Sequence, residues 1–281
     1  MRLCSGVLLS IVVVLLSSCE KEIKVDIPPQ TNSLVVEASI NDLLPTLNYV
    51  FITQTVDYFN PNIEALGLSG AEVFITEGSI EGTDTVFNGF RYQMFDKIIP
   101  QSPDGLYLNP FLFGQPEKIY KLEINYKGKT ITGKTQIPAI TNIDSVWFRF
   151  DGMLDGKRRA FPSLSFFDPP EPSYYRMAYS FNNNPILLGF GATDRIRLLN
   201  DDLINNKTRE FNSYQSLTEG DTINNYLCRI GRKEFLFWQS FGQANNNAGP
   251  FATPVQLRST LNGAIGCFTG YSIDYRQLIL K

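Results

Sequence analysis

The amino-acid sequence predicts a mainly β protein: an N-terminal β-sandwich of immunoglobulin or transthyretin type, then a second β-rich domain with one short helix. Three observations carry this. Short β-branched and aromatic runs recur from Leu34 onward, with Gly, Pro and Asn between them. Tyr120-Lys121-Leu122-Glu123-Ile124-Asn125-Tyr126 alternates apolar and polar without exception, the period of a strand with one dry face and one wet face. Phe235, Trp238 and Phe241 recur at three-residue steps and mark the helix.

The chain opens with Arg2, an apolar stretch from Val7 to Leu16, and Leu16-Ser17-Ser18-Cys19. A basic start, an apolar core of about ten residues and small residues at the cut describe a secretory signal over residues 1–18. A helix crossing a bilayer needs roughly 20 apolar residues, about twice what is here. The closing tetrapeptide resembles a bacterial lipobox, which makes Cys19 the expected lipid anchor and the first residue after cleavage. Each buried acyl methylene contributes about 0.8 kcal/mol, so several chains on one cysteine hold a protein to the membrane almost irreversibly. Residues 19–30 read as a tether, charged at Glu20, Lys21 and Glu22 and then bearing Pro28 and Pro29. Acidic residues directly after a lipidated cysteine resemble the surface-export signals of Bacteroidetes lipoproteins, which implies an outer-membrane location facing outward.

The expected sandwich covers residues 31–140. Its strands are Leu34–Ile40, Tyr49–Thr53, Ala71–Thr76 and Tyr120–Tyr126, the last turned by Lys127-Gly128 into a hairpin with Lys129–Thr135. Ile137-Pro138-Ala139-Ile140-Thr141-Asn142 reads as a boundary. Residues 141–281 form the second expected domain, with strands at Val146–Phe150, Leu164–Phe167 and Tyr174–Tyr179 ahead of the helix.

Composition removes several chemistries. The chain contains no histidine, which excludes Ser-His-Asp and Cys-His catalysis and the usual zinc and facial-triad iron sites. A net charge of -3 gives no footprint for nucleic acid. Asp151-Gly152-Met153-Leu154-Asp155-Gly156 departs from the spacing of a calcium loop and reads as a hairpin turn. Asp201 and Asp202, being adjacent, face opposite ways in a strand and make a poor acid/base pair. No metal or cofactor is expected, nor an enzyme. Cys228 and Cys267 remain once Cys4 leaves with the signal and Cys19 is acylated; they either form a disulfide or stand as two separately buried thiols. Asp84-Thr85-Val86, Asp144-Ser145-Val146 and Asp221-Thr222-Ile223 resemble Bacteroidetes O-glycosylation sites, at Thr85, Ser145 and Thr222.

Ser165-Phe166-Phe167-Asp168-Pro169-Pro170 followed by Tyr174-Tyr175-Arg176 resembles the signature of a Bacteroidetes outer-membrane lipoprotein family, catalogued as domain of unknown function 4249. Asn200-Asp201-Asp202-Leu203-Ile204-Asn205, Gly249-Pro250-Phe251-Ala252-Thr253-Pro254 and Asn262-Gly263-Ala264-Ile265-Gly266-Cys267-Phe268 resemble its further motifs. So do the openings Cys19-Glu20-Lys21-Glu22-Ile23 and Leu34-Val35-Val36-Glu37. The resemblance implies an outer-membrane lipoprotein beside a TonB-dependent transporter and carries no catalytic residues. The leading reading is an accessory or substrate-binding component, whose plentiful Phe, Tyr and Trp offer rings to a glycan or a peptide. A structural reading stands beside each motif: Asp168-Pro169 ends a strand, Tyr174 and Tyr175 divide between core and outside, and Gly263 to Gly266 makes tight turns. An adhesion lipoprotein and a carboxylate-dependent glycan hydrolase are the alternatives.

The anchor is tested directly. Cys19→Ser is expected to move the protein from the membrane fraction into the soluble one after a high-salt wash; continued membrane partitioning contradicts the lipid.

Overall fold

A computed structural model describes residues 33–56, 66–182, 196–202, 205–213, 215–246, 253 and 255–281. The signal, Cys19, the tether and most of Gly249–Pro254 therefore lie outside the described residues. The protein is mainly β, as its alternating runs predict. The first strands are β1 (Leu34–Asn41), β2 (Tyr49–Gln54), β3 (Glu72–Glu81), β4 (Asp84–Val86), β5 (Arg91–Asp96) and β6 (Leu106–Leu108). They are followed by β7 (Ile119–Tyr126), β8 (Lys129–Gln136), β9 (Ile143–Leu154), β10 (Lys157–Phe167), β11 (Tyr174–Phe181) and β12 (Ile196–Asn200). Then come β13 (Thr208–Asn212), β14 (Leu217–Thr218), β15 (Thr222–Ile230), the helix α1 (Arg232–Asn246), β16 (Leu261–Asn262) and β17 (Ile265–Ile279).

Every strand expected from sequence is present. The β7–β8 hairpin turns through Lys127 and Gly128, both at positive φ, as a two-residue loop requires. The acid-and-glycine run 151–156 is the end of the β9–β10 hairpin, with Asp155 and Gly156 at positive φ. Thirteen strands form one sheet in the order β12-β11-β15-β17-β1-β2-β6-β5-β3-β7-β8-β16, with β4 on β3. A second sheet of four strands runs β13-β10-β14, with β9 on β10.

Alternation explains the first core. Val36 and Ile40 of β1, Val50 and Ile52 of β2, Val73 and Ile75 of β3, and Leu122 and Ile124 of β7 all point inward and are buried in one cluster. Each fully buried aliphatic side chain contributes about 1.5–3 kcal/mol. Beyond residue 140 the core is layered differently. The four-stranded sheet covers one face of β11 and β15, burying Leu164, Phe166, Tyr175 and Leu227. Helix α1 covers the other face, burying Phe235, Phe237 and Trp238 against Cys228, Cys267 and Ile273. Leu261 and Phe268, from beyond residue 140, also pack in the first cluster, and residues Asn32–Lys281 as a whole form one compact unit.

The join is β17. Its first half pairs with β1 in parallel, Val35 opposite Ile265 through Asn41 opposite Tyr271. Its second half pairs with β15 antiparallel, Arg229 opposite Ser272 through Thr222 opposite Ile279. The glycine motif read as a tight turn is only half that. Gly263 turns at φ +88°, but Gly266 lies inside the strand at φ +140°, and a Cβ there would sit 1.8 Å from the Val36 carbonyl oxygen. Glycine is required so that two backbones can touch.

Helix α1 is fastened to this strand by buried polar groups. Arg176, 2% exposed, places its guanidinium 3.5 Å from the centre of the Trp238 ring and donates from Nη1 to the Tyr271 hydroxyl at 2.7 Å. Trp238 Nε1 donates to Thr269 Oγ1 at 3.1 Å. Thr135 donates from Oγ1 to Glu234 Oε1 at 3.0 Å and accepts from the Gly270 N–H at 2.9 Å.

Gly266→Ala is expected to destabilise by more than about 2 kcal/mol, because overpacking adds to strain. Gly70, at φ +83° with open space around it, is the control: Gly70→Ala should cost only the roughly 1–2 kcal/mol of left-handed strain. Urea midpoints of the two variants check this; equal shifts would contradict the close contact.

Candidate functional site

The four-stranded sheet and the β11–β12–β15 end of the large sheet part to leave a cleft of about 500 Å³, within the range that holds a small organic ligand. Leu164 of β10, Met177 of β11, Phe211 of β13 and Ile223 of β15 give it an apolar lining. Ser163, Tyr179, Asn212, Ser213, Gln215 and Asn225 supply neutral polar groups, and Arg197 a cation. No Asp or Glu is among the described residues lining the cleft.

Hydrogen bonds hold the cleft wall. Ser163 Oγ donates to Asn212 Oδ1 at 2.7 Å and accepts from Arg149 Nε at 3.0 Å, while Arg149 Nη2 reaches the Ser213 carbonyl at 3.3 Å. The Ser213 N–H donates to the Pro162 carbonyl at 2.9 Å, carrying the chain on from β13 along β10. Phe211 is already engaged: Phe166 stacks on it at 5.7 Å between centres, and the Arg209 guanidinium lies 5.1 Å from its centre.

The motif residues gather elsewhere, in a buried polar cluster beneath the 137–142 crossing. Asp168 has no solvent exposure and accepts the Tyr175 hydroxyl at 2.6 Å, and the Asn206 backbone lies beside its carboxylate. Burial pushes its carboxyl above the usual range, and the neighbouring Asp201 carboxylate adds to that. Asp201 is buried and accepts the Ser173 N–H at 2.7 Å, whereas Asp202 is exposed, so the adjacent pair does face opposite ways. Arg229 spans Glu171 Oε1 at 3.0 Å, Ser173 Oγ at 2.9 Å and the Ala139 carbonyl at 3.3 Å. Asp274 Oδ2 accepts the Ile143 N–H at 2.7 Å. Tyr175 is fully buried, and Tyr174, half-buried, packs its ring 5.2 Å from Phe235 of α1, so both faces of β11 are covered rather than one.

Cys228 and Cys267 are both free thiols, which decides between the two readings of their spacing. Register is the reason: Cys228 lies opposite Ile273, six residues from Cys267 on β17, about 20 Å at the rise of a strand. A disulfide needs Cα atoms within about 7 Å. Burial pushes both thiols up to about 12. Of the modification candidates, Thr85 is exposed on β4 and Ser145 exposed on β9 with its hydroxyl 2.9 Å from that of Ser165; Thr222 is half-buried, its N–H held by Asn182. Three further residues stand out from the surface: Phe90, Phe111 and Phe113 are 76%, 79% and 56% exposed. Sequence reasoning did not find the cleft, because its lining comes from five strands spread from Pro162 to Asn225.

No family model and no curated protein matches the chain. Among solved structures it is similar to a DUF3823 family protein from Bacteroides uniformis, at 10% identity over 89% of this chain and 100% of that one, with a TM-score of 0.23. A likeness at that score carries no argument about this chain.

Asp168 and Glu234 are both raised by burial, so the native state binds protons that the unfolded chain has released. Their contribution is fully present below the unfolded carboxylate range of about 4 and is lost as pH rises through the raised native values. Urea midpoints should therefore fall between that point and neutrality, and the fall should be shallower in Asp168→Asn; an unchanged slope would place Asp168 outside this linkage. Tyr175→Phe, which strips a buried carboxyl of its donor, should cost about 1–3 kcal/mol.

Proposed function

We propose that the chain is an outer-membrane lipoprotein, held by lipid on Cys19, that binds a ligand without converting it, as an accessory or substrate-binding component of a TonB-dependent transporter. The cleft of about 500 Å³ between the two sheets is the observation that carries the binding role. The anchor rests on Leu16-Ser17-Ser18-Cys19 and on the apolar stretch before it. The transporter rests on the resemblance of Phe166-Phe167-Asp168-Pro169, Tyr174-Tyr175-Arg176 and the closing glycine motif to the lipoprotein family of unknown function 4249. A glycan hydrolase needs two carboxyls facing each other across a substrate at roughly 5–10 Å. The acidic neighbours Asp168 and Asp201 are buried and engaged by Tyr175 and Ser173, which favours a structural role for them.

A second reading is adhesion to another surface protein, for which the exposed Phe90, Phe111 and Phe113 are candidate contacts. Purification in mild detergent separates the two, combined with deletion of the gene. On the binding reading a barrel transporter co-purifies, deletion lowers uptake of a substrate, and the pure protein leaves offered glycans and peptides intact. Intact uptake with lost surface attachment supports adhesion. Hydrolysis abolished by one carboxylate-to-amide change overturns both.

A further inference from the structure

The cleft combines three features that together select a ligand chemistry. Its lining is apolar at Leu164, Met177, Phe211 and Ile223. Its polar groups at Asn212, Gln215 and Ser213 are neutral and Arg197 adds a cation, which disfavours a positively charged ligand. The two strands that flank it, β12 and β13, are each paired on one side only among the described residues, β12 with β11 and β13 with β10. A strand paired on one side presents a row of backbone N–H and C=O groups along the other, a template for an added strand. Of the two aromatics in the lining, Phe211 is engaged by Phe166 and Arg209 and Tyr179 packs against Phe181, which favours a peptide over a stacked sugar.

We propose that the cleft takes an apolar side chain of an extended peptide without positive charge that pairs along the edge of β13 left open among the described residues. The five residues Thr208–Asn212 offer main-chain hydrogen bonds, and the Asn212 and Gln215 carboxamides meet peptide groups flanking the inserted side chain. Alternation then sends every second side chain of the peptide toward the cleft and the others to solvent. This rests on the cleft being the binding site, and it names what the site reads: backbone first, an apolar side chain second.

The experiment titrates the purified full chain with uncharged heptapeptides that alternate Thr with Leu, Ile, Val or Phe, with the same peptides N-methylated at alternate residues, and with a neutral oligosaccharide. Asn212→Trp and Gln215→Trp, both at exposed positions, close the mouth of the cleft without entering the core. Saturable binding of at least one peptide, weakened by about tenfold or more both by N-methylation and by either Trp variant, is the expected result. Peptide binding that survives N-methylation but is lost in the Trp variants keeps the cleft as the site and overturns the strand pairing. Oligosaccharide binding lost in the Trp variants, with no peptide bound, keeps the site and overturns the peptide. Binding of any probe that both Trp variants leave unchanged overturns the cleft itself.

Discussion

Contact between the backbones of β17 and β1 is the constraint on which the rest depends. The chain carries its N-terminal strand and its last long strand side by side and parallel, Val36 against Gly266. A parallel neighbour needs a crossover connection, and here that connection spans nearly the whole described sequence, so the pair is a contact of very high sequence separation. The approach is close enough that a side chain at Gly266 would overlap the Val36 carbonyl, and one at Gly270 would lie 2.5 Å from the Gln136 carbonyl. Two glycines four residues apart thus let one strand lie against β1 and the end of β8. After Tyr271 the same strand changes partner to β15, carrying the order of the first core into the sheet that supports the cleft.

The buried polar cluster completes that transfer. The Ala139 carbonyl accepts from Arg229 of β15 and from Ser272 of β17, and the Ile143 N–H is taken by Asp274 of β17. The crossing between the two halves is strapped to the shared strand, not left as a free linker. Asp168, Tyr175 and Arg176, the residues that carry the family resemblance, sit in this strap or in the helix contact beside it. Their chemistry is that of buried polar groups paired at short range, Tyr175 with Asp168 and Arg176 with Tyr271 and Trp238, and costly to separate. The cleft opens farther along the same inter-sheet face of β10 and β11 and is lined by residues outside those motifs.

Local pattern made the strands legible. The strict alternation of Tyr120–Tyr126 and the glycine after Lys127 specify a hairpin from neighbouring residues alone, and the Phe235, Trp238, Phe241 spacing marked a helix that runs fifteen residues. What local pattern could not show was partnership across the chain. Gly266 looked like turn chemistry, since nothing nearby in sequence announces a carbonyl from Val36. Cys228 and Cys267 looked bridgeable, since spacing carries no register. Asn212, Gln215 and Asn225 look like ordinary polar surface until two sheets bring them to one mouth.

If β17 couples the two halves, they open as one unit. Native-state hydrogen exchange measures this directly, by comparing the most protected amides of β7, in the first core, with those of β15, beneath the cleft. One shared opening free energy, falling by the same amount at both places in a destabilised β17 variant, is the predicted result. Two distinct free energies, with β7 unmoved when β17 is weakened, would mean that the halves fold independently and that the shared strand does not hold them together.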